Sequence, residues 1–187
     1  MKRTLSLMLA LVMAVSLMAC GKKDDGKNNA DAPADSLALL TKVWDSYTDD
    51  EKFPAAGGDY ETSVDDAPGA FDPSNADNLN FLLTVPTEDA SLIDDAASLM
   101  HMMNANTFTC GALRVKNGDD AAKLAEDLLD AIQNKQWMCG FPDKVVILTM
   151  GQFVVSVYGA EDLVDTFRDK LQNCFSSAAV VYDEPIA

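Results

Sequence analysis

Residues 145–158 read Val-Val-Ile-Leu-Thr-Met-Gly-Gln-Phe-Val-Val-Ser-Val-Tyr. The β-branched and aromatic side chains in both halves favour strands, and the Gly-Gln pair between them is short enough for a two-residue hairpin turn. Both faces of both strands are apolar, which is typical of strands covered on two sides. This stretch therefore predicts a buried hairpin at the centre of the fold.

Two helices are predicted, each after a hairpin. Residues 163–175 place apolar side chains at helical spacing directly after the 145–158 hairpin, and residues 121–132 do the same earlier in the chain. Asp119 is expected to cap the earlier helix. Another hairpin is expected before that helix, within residues 98–116, with its turn at Asn104-Ala105-Asn106.

Residues 92–103 are compatible with either a helix or a strand. Their Leu, Met and Ala content favours a helix, whereas the turn residues that follow favour a strand. We prefer the strand, because it makes the chain run hairpin then helix twice. The prediction is an α+β domain with a four-stranded antiparallel sheet, built from two ββα units, and helices on one face. The helical alternative makes residues 107–182 a ferredoxin-like βαββαβ arrangement.

The remaining segments complete a single domain over residues 35–187. Residues 37–48 predict an N-terminal helix capped by Asp35 or Ser36. Residues 49–77 are rich in Pro, Gly and Asp and predict a long loop. That helix and loop are expected to cover the second face of the sheet, and residues 178–182 are expected to add an edge strand.

The N-terminus has the features of an export signal. Lys2 and Arg3 precede an apolar run, residues 5–17, which is too short to span a bilayer. Residues 20–34 contain no large apolar side chain and are expected to form a flexible tether.

The end of the apolar run, Leu17-Met18-Ala19-Cys20, resembles the lipobox of bacterial lipoproteins. The resemblance implies that residues 1–19 are a signal peptide and that Cys20 carries acyl chains such as palmitate. Two or more acyl chains suffice for stable anchoring. We therefore expect a lipid-anchored protein on the extracytoplasmic face of the cell membrane.

The chain is strongly acidic, with a formal net charge of −16 at pH 7. This charge argues against nucleic acid as a partner and against charge-driven binding to anionic lipids. Membrane attachment must then depend on the acyl chains.

Three cysteines follow Cys20, and an exported domain could oxidise two of them. Cys110 and Cys139 are the possible disulfide, which would stabilise the fold by about 3–4 kcal/mol. The alternative is that Cys110, Cys139 and Cys174 are all small buried thiols.

The segment Gln136-Trp-Met-Cys-Gly-Phe-Pro142 invites comparison with a thioredoxin-like motif, but it lacks the second cysteine that resolves a mixed disulfide. His101, Trp137 and Cys139 form the candidate functional patch, since His101 could act as a base toward the Cys139 thiol. No catalytic residue and no cofactor are assigned. A cysteine-dependent enzyme or redox factor using Cys139 remains the alternative function.

A metal-binding lipoprotein is the other alternative. Oxygen ligands lie close together in the long loop and suit calcium, although their spacing matches no EF-hand; they are Asp65, Asp66, Asp72, Asn75 and Asp77. No metal ligand is assigned from the sequence.

Three stretches resemble a group of Gram-positive gut-bacterial lipoproteins often labelled bacteriocin transport accessory protein. They are Phe53-Pro-Ala-Ala-Gly-Gly-Asp-Tyr60, Ser98-Leu-Met-His-Met-Met-Asn-Ala-Asn-Thr-Phe-Thr-Cys-Gly111 and Gln136-Trp-Met-Cys-Gly-Phe-Pro-Asp-Lys144. The resemblance extends over residues 37–175 and implies an accessory role in bacteriocin export or immunity. The leading expectation is a non-enzymatic protein that binds a peptide or protein partner.

Overall fold

A single antiparallel sheet of eight strands forms the centre of the protein, and helices cover both of its faces. The structure, a computed structural model, describes residues 32–186. The predicted signal peptide, Cys20 and most of the predicted tether lie outside these residues. The fold is α+β, as expected, but the sheet has eight strands instead of four.

The strands are β1 (Ala55–Gly57), β2 (Val64–Asp65), β3 (Gly69–Phe71), β4 (Ile93–His101), β5 (Phe108–Val115), β6 (Lys144–Met150), β7 (Phe153–Gly159) and β8 (Ala179–Pro185). The helices are α1 (Ser36–Asp45), α2 (Ala76–Leu83), α3 (Ala121–Gln133) and α4 (Glu161–Cys174). Neighbouring strands follow the order β2-β1-β4-β5-β7-β6-β8, and β3 also pairs with β4.

Strands β6 and β7 form the hairpin predicted from residues 145–158. Met150 pairs with Phe153 across the turn, and Gly151 has a φ of +59°, which glycine adopts without steric cost. Every residue of β7 is buried, because apolar cores lie on both faces of the sheet. The prediction of a hairpin covered on both sides is confirmed.

Residues 93–101 form a strand, so the helical interpretation of residues 92–103 is wrong. β4 pairs with β5 along its length, with Leu99 opposite Cys110, and the chain reverses through a short 3₁₀ turn at Ala105–Thr107. The Ala and Leu residues that favoured a helix are buried between the two layers of helices, where tertiary packing outweighs local propensity.

Two apolar cores lie on opposite faces of the sheet. α1 and α4 pack on one face through side chains such as Val43 and Phe167, which defines core one. α2 and α3 pack on the other face through side chains such as Leu79 and Leu128, which defines core two. The expectation that the two helices following the hairpins share one face is therefore wrong.

The path of the chain explains this arrangement. β5 and β6 run parallel with β7 between them, and β7 and β8 run parallel with β6 between them. The connection from β5 to β6 contains α3, and the connection from β7 to β8 contains α4. Both connections lead toward the same edge of the sheet, but the strands of the first pair run opposite to those of the second pair. Because connections between parallel strands of one sheet are right-handed, α3 and α4 must lie on opposite faces. In a ferredoxin-like order β8 would lie beside β5, but β4 occupies that position, so β8 pairs with β6.

The segment predicted to be a long loop, residues 49–77, contains three short strands and the start of α2. β1 and β3 pair with different parts of β4, and β2 continues the sheet beyond β1. These strands are two or three residues long, too short to produce a period-2 pattern, so the sequence predicted only turns.

Backbone segments of this region approach one another so closely that only glycine fits. A Cβ on Gly57 would lie 2.1 Å from the amide nitrogen of Gly69. Asp59 holds the adjoining turn, because its carboxylate accepts hydrogen bonds from the backbone amides of Glu61, Thr62 and Asp72. Burial opposes ionisation of Asp59, but these hydrogen bonds lower its pKa below the ordinary value.

The helix ends agree only in part with expectation. Asp35 caps α1 by accepting a hydrogen bond from the amide of Ala38 (2.7 Å), as predicted. Asp119 does not cap α3; it lies in a 3₁₀ turn, Gly118–Asp120, that is capped by Asn117. Within residues 32–186 no helix is long and apolar enough to cross a membrane.

Candidate functional site

Two loops meet at the end of the sheet where β4 finishes and β5 and β6 begin. One is the β4–β5 turn, residues 102–107, and the other is the α3–β6 loop, residues 134–143. The Asn106 side chain joins them, because its Nδ2 donates to the carbonyl oxygens of Cys139 (3.2 Å) and Gly140 (2.9 Å). The two loops therefore form one continuous surface.

This surface exposes large apolar side chains. The exposed fraction is 45% for Met102, 79% for Met103, 91% for Met138 and 77% for Phe141. These four make up half of the large exposed apolar side chains in the described part of the chain. We call Met102, Met103, Met138 and Phe141 the Met rim. Such a concentration of exposed apolar side chains marks an interaction surface more often than a random surface feature.

The β4–β5 side of the Met rim rests on an aromatic row. The His101 ring stacks on Phe53 with 5.6 Å between ring centroids, and Phe53 in turn contacts Phe108. The backbone amide of Met103 donates to Nδ1 of His101 (3.2 Å), and the amide of Met102 donates to the carbonyl of Pro54. His101 therefore positions the backbone of the rim.

The α3–β6 side rests on core two. The Trp137 indole packs against Tyr158, with 5.3 Å between ring centroids, and its Nε1 is buried without a hydrogen-bond partner among the residues that the structure describes. An unpaired buried N–H costs about 1–3 kcal/mol. The burial of the indole ring offsets this cost and holds the loop against the sheet.

One lysine of this loop, Lys135, forms no ion pair with any residue that the structure describes. The Nζ of Lys135 donates to Oγ1 of Thr84 (2.8 Å) and lies over the Trp137 ring, 5.0 Å from its centroid. Burial lowers the pKa of Lys135 below its ordinary value. Thr84 has a φ of +60°, unusual for a β-branched residue, and its hydroxyl also lies 3.3 Å from the Tyr158 hydroxyl. These contacts hold the strained end of α2.

The predicted patch of His101, Trp137 and Cys139 is divided by the sheet. His101 packs with Phe53, which belongs to core one, whereas Trp137 packs against core two. Cys139 is exposed on the loop between them. No hydrogen bond links the His101 ring to the Cys139 thiol in the described structure, so the dyad suggested by the sequence is not assembled.

The three described cysteines are free thiols, and the predicted Cys110–Cys139 disulfide is not formed. Cys110 is completely buried in core one, where desolvation raises its pKa well above the ordinary value. Cys139 is exposed at the surface, and Cys174 is partly buried. The alternative of three buried thiols is therefore also wrong, because Cys139 is accessible.

Two of the oxygen ligands predicted in the 49–77 segment serve local structure. Asp72 accepts hydrogen bonds from the amide and hydroxyl of Ser74, and Asn75 caps α2 by accepting from the amide of Asn78. Across residues 32–186, no three His, Cys, Asp or Glu side chains are grouped closely enough to hold a metal ion.

Sequence reasoning did not identify the Met rim as a surface. Both of its loops lack a helical or strand period, so nothing in the pattern showed which apolar side chains would be exposed. The available signal was the presence of Met102 and Met103 directly before a predicted turn, and of Met138 and Phe141 in a stretch with Gly and Pro.

Comparison of the chain with protein-family models, with curated proteins and with solved structures found no match in any of the three. The functional argument therefore depends on the geometry of the Met rim and its surroundings.

Proposed function

We propose that this chain is a lipid-anchored, extracytoplasmic, non-enzymatic protein that binds a peptide or protein partner at the Met rim. The observation that carries the proposal is the exposure of four large apolar side chains on two loops that are themselves held firmly. Methionine is flexible and polarisable, so a Met-rich surface adapts to partners of different shape. The hydrogen bonds of Asn106 and the packing of Trp137 supply the fixed base.

The point at which the described chain enters the domain supports this role. The amide of Ser36 donates to the carboxylate of Asp95 (2.6 Å), near the start of β4, whereas Met102 follows the end of β4. Seven residue steps of extended chain lead from Asp95 to Met102, or about 23 Å. The described chain therefore enters the domain at the end of β4 opposite the Met rim, so the entering segment does not cover the rim.

The cysteine-dependent alternative has little support, because Cys110 is buried and Cys139 and His101 do not meet. The calcium alternative has little support, because Asp72 already accepts hydrogen bonds from Ser74 and no three acidic side chains within residues 32–186 are grouped closely enough to hold a metal ion. An accessory role in bacteriocin export or immunity, which the resemblance of residues 37–175 implies, is one specific form of the binding function.

The anchoring half of the proposal is tested by metabolic labelling with palmitate. The full chain is expected to incorporate label and to remain with the membrane, and the variant Cys20→Ala is expected to do neither. Label in the Cys20→Ala variant would contradict the assignment of Cys20.

The binding half is tested by selecting displayed peptides against the full chain held in phosphatidylcholine nanodiscs. Selected peptides are expected to lose binding to the double variant Met103→Ser/Phe141→Ser and to keep it with Tyr60→Ser/Phe81→Ser. The control pair is suitable because Tyr60 and Phe81 are also large, exposed side chains, and their rings contact each other at 6.3 Å between centroids. Peptides that depend on the control pair instead would show that the Met rim is not the binding surface.

A further inference from the structure

Carboxylates border the Met rim on the side of α4. Asp143 lies two residues after Phe141, and its Oδ2 accepts a hydrogen bond from the amide of Glu161. The preceding amide, of Ala160, donates to the carbonyl of Thr107 in the β4–β5 turn (2.8 Å). The first turn of α4, with Glu161 and Asp162, therefore lies directly beside the rim.

These three carboxylates are exposed, and none forms an ion pair within the described range of the chain. The two lysines closest to Asp143 in the sequence have other partners. Lys144 pairs with Asp165 (2.7 Å) and Asp183 (2.8 Å), and Lys135 is turned inward to Thr84. The rim thus combines apolar side chains with an un-neutralised acidic border.

This combination disfavours two other occupants. A second copy of a chain with a net charge of −16 would bring like charges together at the border. An anionic lipid surface would be repelled by the border carboxylates in the same way.

We infer that the segment bound at the Met rim is a cationic amphipathic peptide. Its apolar side chains would cover the Met rim, and its Lys or Arg side chains would lie along Asp143, Glu161 and Asp162. Electrostatic complementarity of this kind raises the association rate and selects against neutral and acidic competitors. This inference rests on the proposed function of the rim, because it names the class of partner for that same surface.

The test uses the full chain in phosphatidylcholine nanodiscs and three amphipathic peptides of about 18 residues with the same apolar face. Their polar faces carry Lys, Gln or Glu, and affinity is measured by fluorescence anisotropy against empty nanodiscs. We expect the Lys peptide to bind about tenfold more tightly than the Gln peptide at low salt, and the difference to vanish at about 0.5 M salt.

The variant Glu161→Gln/Asp162→Asn is expected to remove most of the preference for the Lys peptide while leaving the affinity for the Gln peptide unchanged. The matched control, Asp119→Asn/Glu126→Gln, removes the same charge from exposed positions on and near α3 and is expected to keep the preference. Thermal unfolding verifies that both variants remain folded.

The outcomes separate the inference from the proposed function. Equal, rim-dependent binding of all three peptides would overturn the inference and leave the binding function standing. Loss of the preference in both double variants alike would also overturn it, because the selectivity would then come from overall charge. Binding that Met103→Ser/Phe141→Ser does not weaken would overturn both.

Discussion

The substitution Gly57→Ala tests whether the 49–77 segment is as tightly built as the structure shows. The added Cβ would lie 2.1 Å from the amide nitrogen of Gly69 and 2.5 Å from the carbonyl oxygen of Ala67. Ordinary contacts of a Cβ begin at 3.4 Å, so the two backbone segments would have to separate by about 1.3 Å. Both are backbone, and neither can move aside as a side-chain end could.

The stability cost of Gly57→Ala follows from the contacts that this separation of the two backbone segments disrupts. Overpacking of a well-packed site costs about 1–3 kcal/mol. The buried Ser98 hydroxyl donates to the carbonyl of Gly58 (2.8 Å), and losing that partner adds about 1–3 kcal/mol. We expect Gly57→Ala to lower the free energy of unfolding by about 2–6 kcal/mol.

Urea unfolding followed by tryptophan fluorescence measures this change, because the Trp44 indole donates to the carbonyl of Asp66 (3.0 Å) in the same segment. Gly118→Ala is the matched control: its Cβ would meet nothing closer than 3.6 Å, so we expect a change within about 0.5 kcal/mol. If Gly57→Ala were as stable as Gly118→Ala, the close approach of β1 and β3 would be refuted.

Three further predictions concern the Met rim and its base. The folded-state pKa of Lys135 is lowered, so between that pKa and the ordinary value of 10.5 the unfolded state binds more protons than the folded state. The free energy of unfolding of the native chain, relative to that of Lys135→Met, should therefore rise with pH through this window. Unfolding curves at several alkaline pH values measure this difference, and a difference that stays constant would contradict the burial of the amine. In the native protein, Cys139 should react with iodoacetamide at the rate of an accessible thiol, whereas Cys110 should react only after unfolding. Mass spectrometry of the alkylated peptides measures both rates, and equal rates would refute the burial of Cys110. Mild peroxide should oxidise the exposed Met103 and Met138 first. Because a sulfoxide is polar, this oxidation should weaken peptide binding at the rim. Unchanged binding by a chain oxidised at both positions would contradict the role of these side chains.

The sequence predicted those elements whose signal is local. The β6–β7 hairpin follows from two apolar runs separated by Gly151-Gln152, and the buried faces of α3 and α4 follow from helical periodicity. Asp35 at the start of α1 was recognisable as a cap because its hydrogen bond spans only three residues. In each case the information lies within one short window of the chain.

The candidate site was less predictable, because it is assembled from contacts between distant residues. The preference for a strand at residues 93–101 required weighing a turn against helix propensity. The spacing of the cysteines suggested a disulfide, but it contained no information on the burial of Cys110 in core one or the exposure of Cys139 on a loop. The link from Asn106 to residues 139 and 140 spans more than thirty positions.

By itself the sequence determined an acidic α+β domain with a buried central hairpin, since composition and periodicity are properties of single segments. Only the tertiary structure decided that β8 pairs with β6, that α3 and α4 lie on opposite faces, and that two loops join to form the Met rim. Backbone pairing depends on which strand edge is already occupied, and exposure depends on what packs nearby. Both are properties of the assembled chain, and no local pattern of side chains records them.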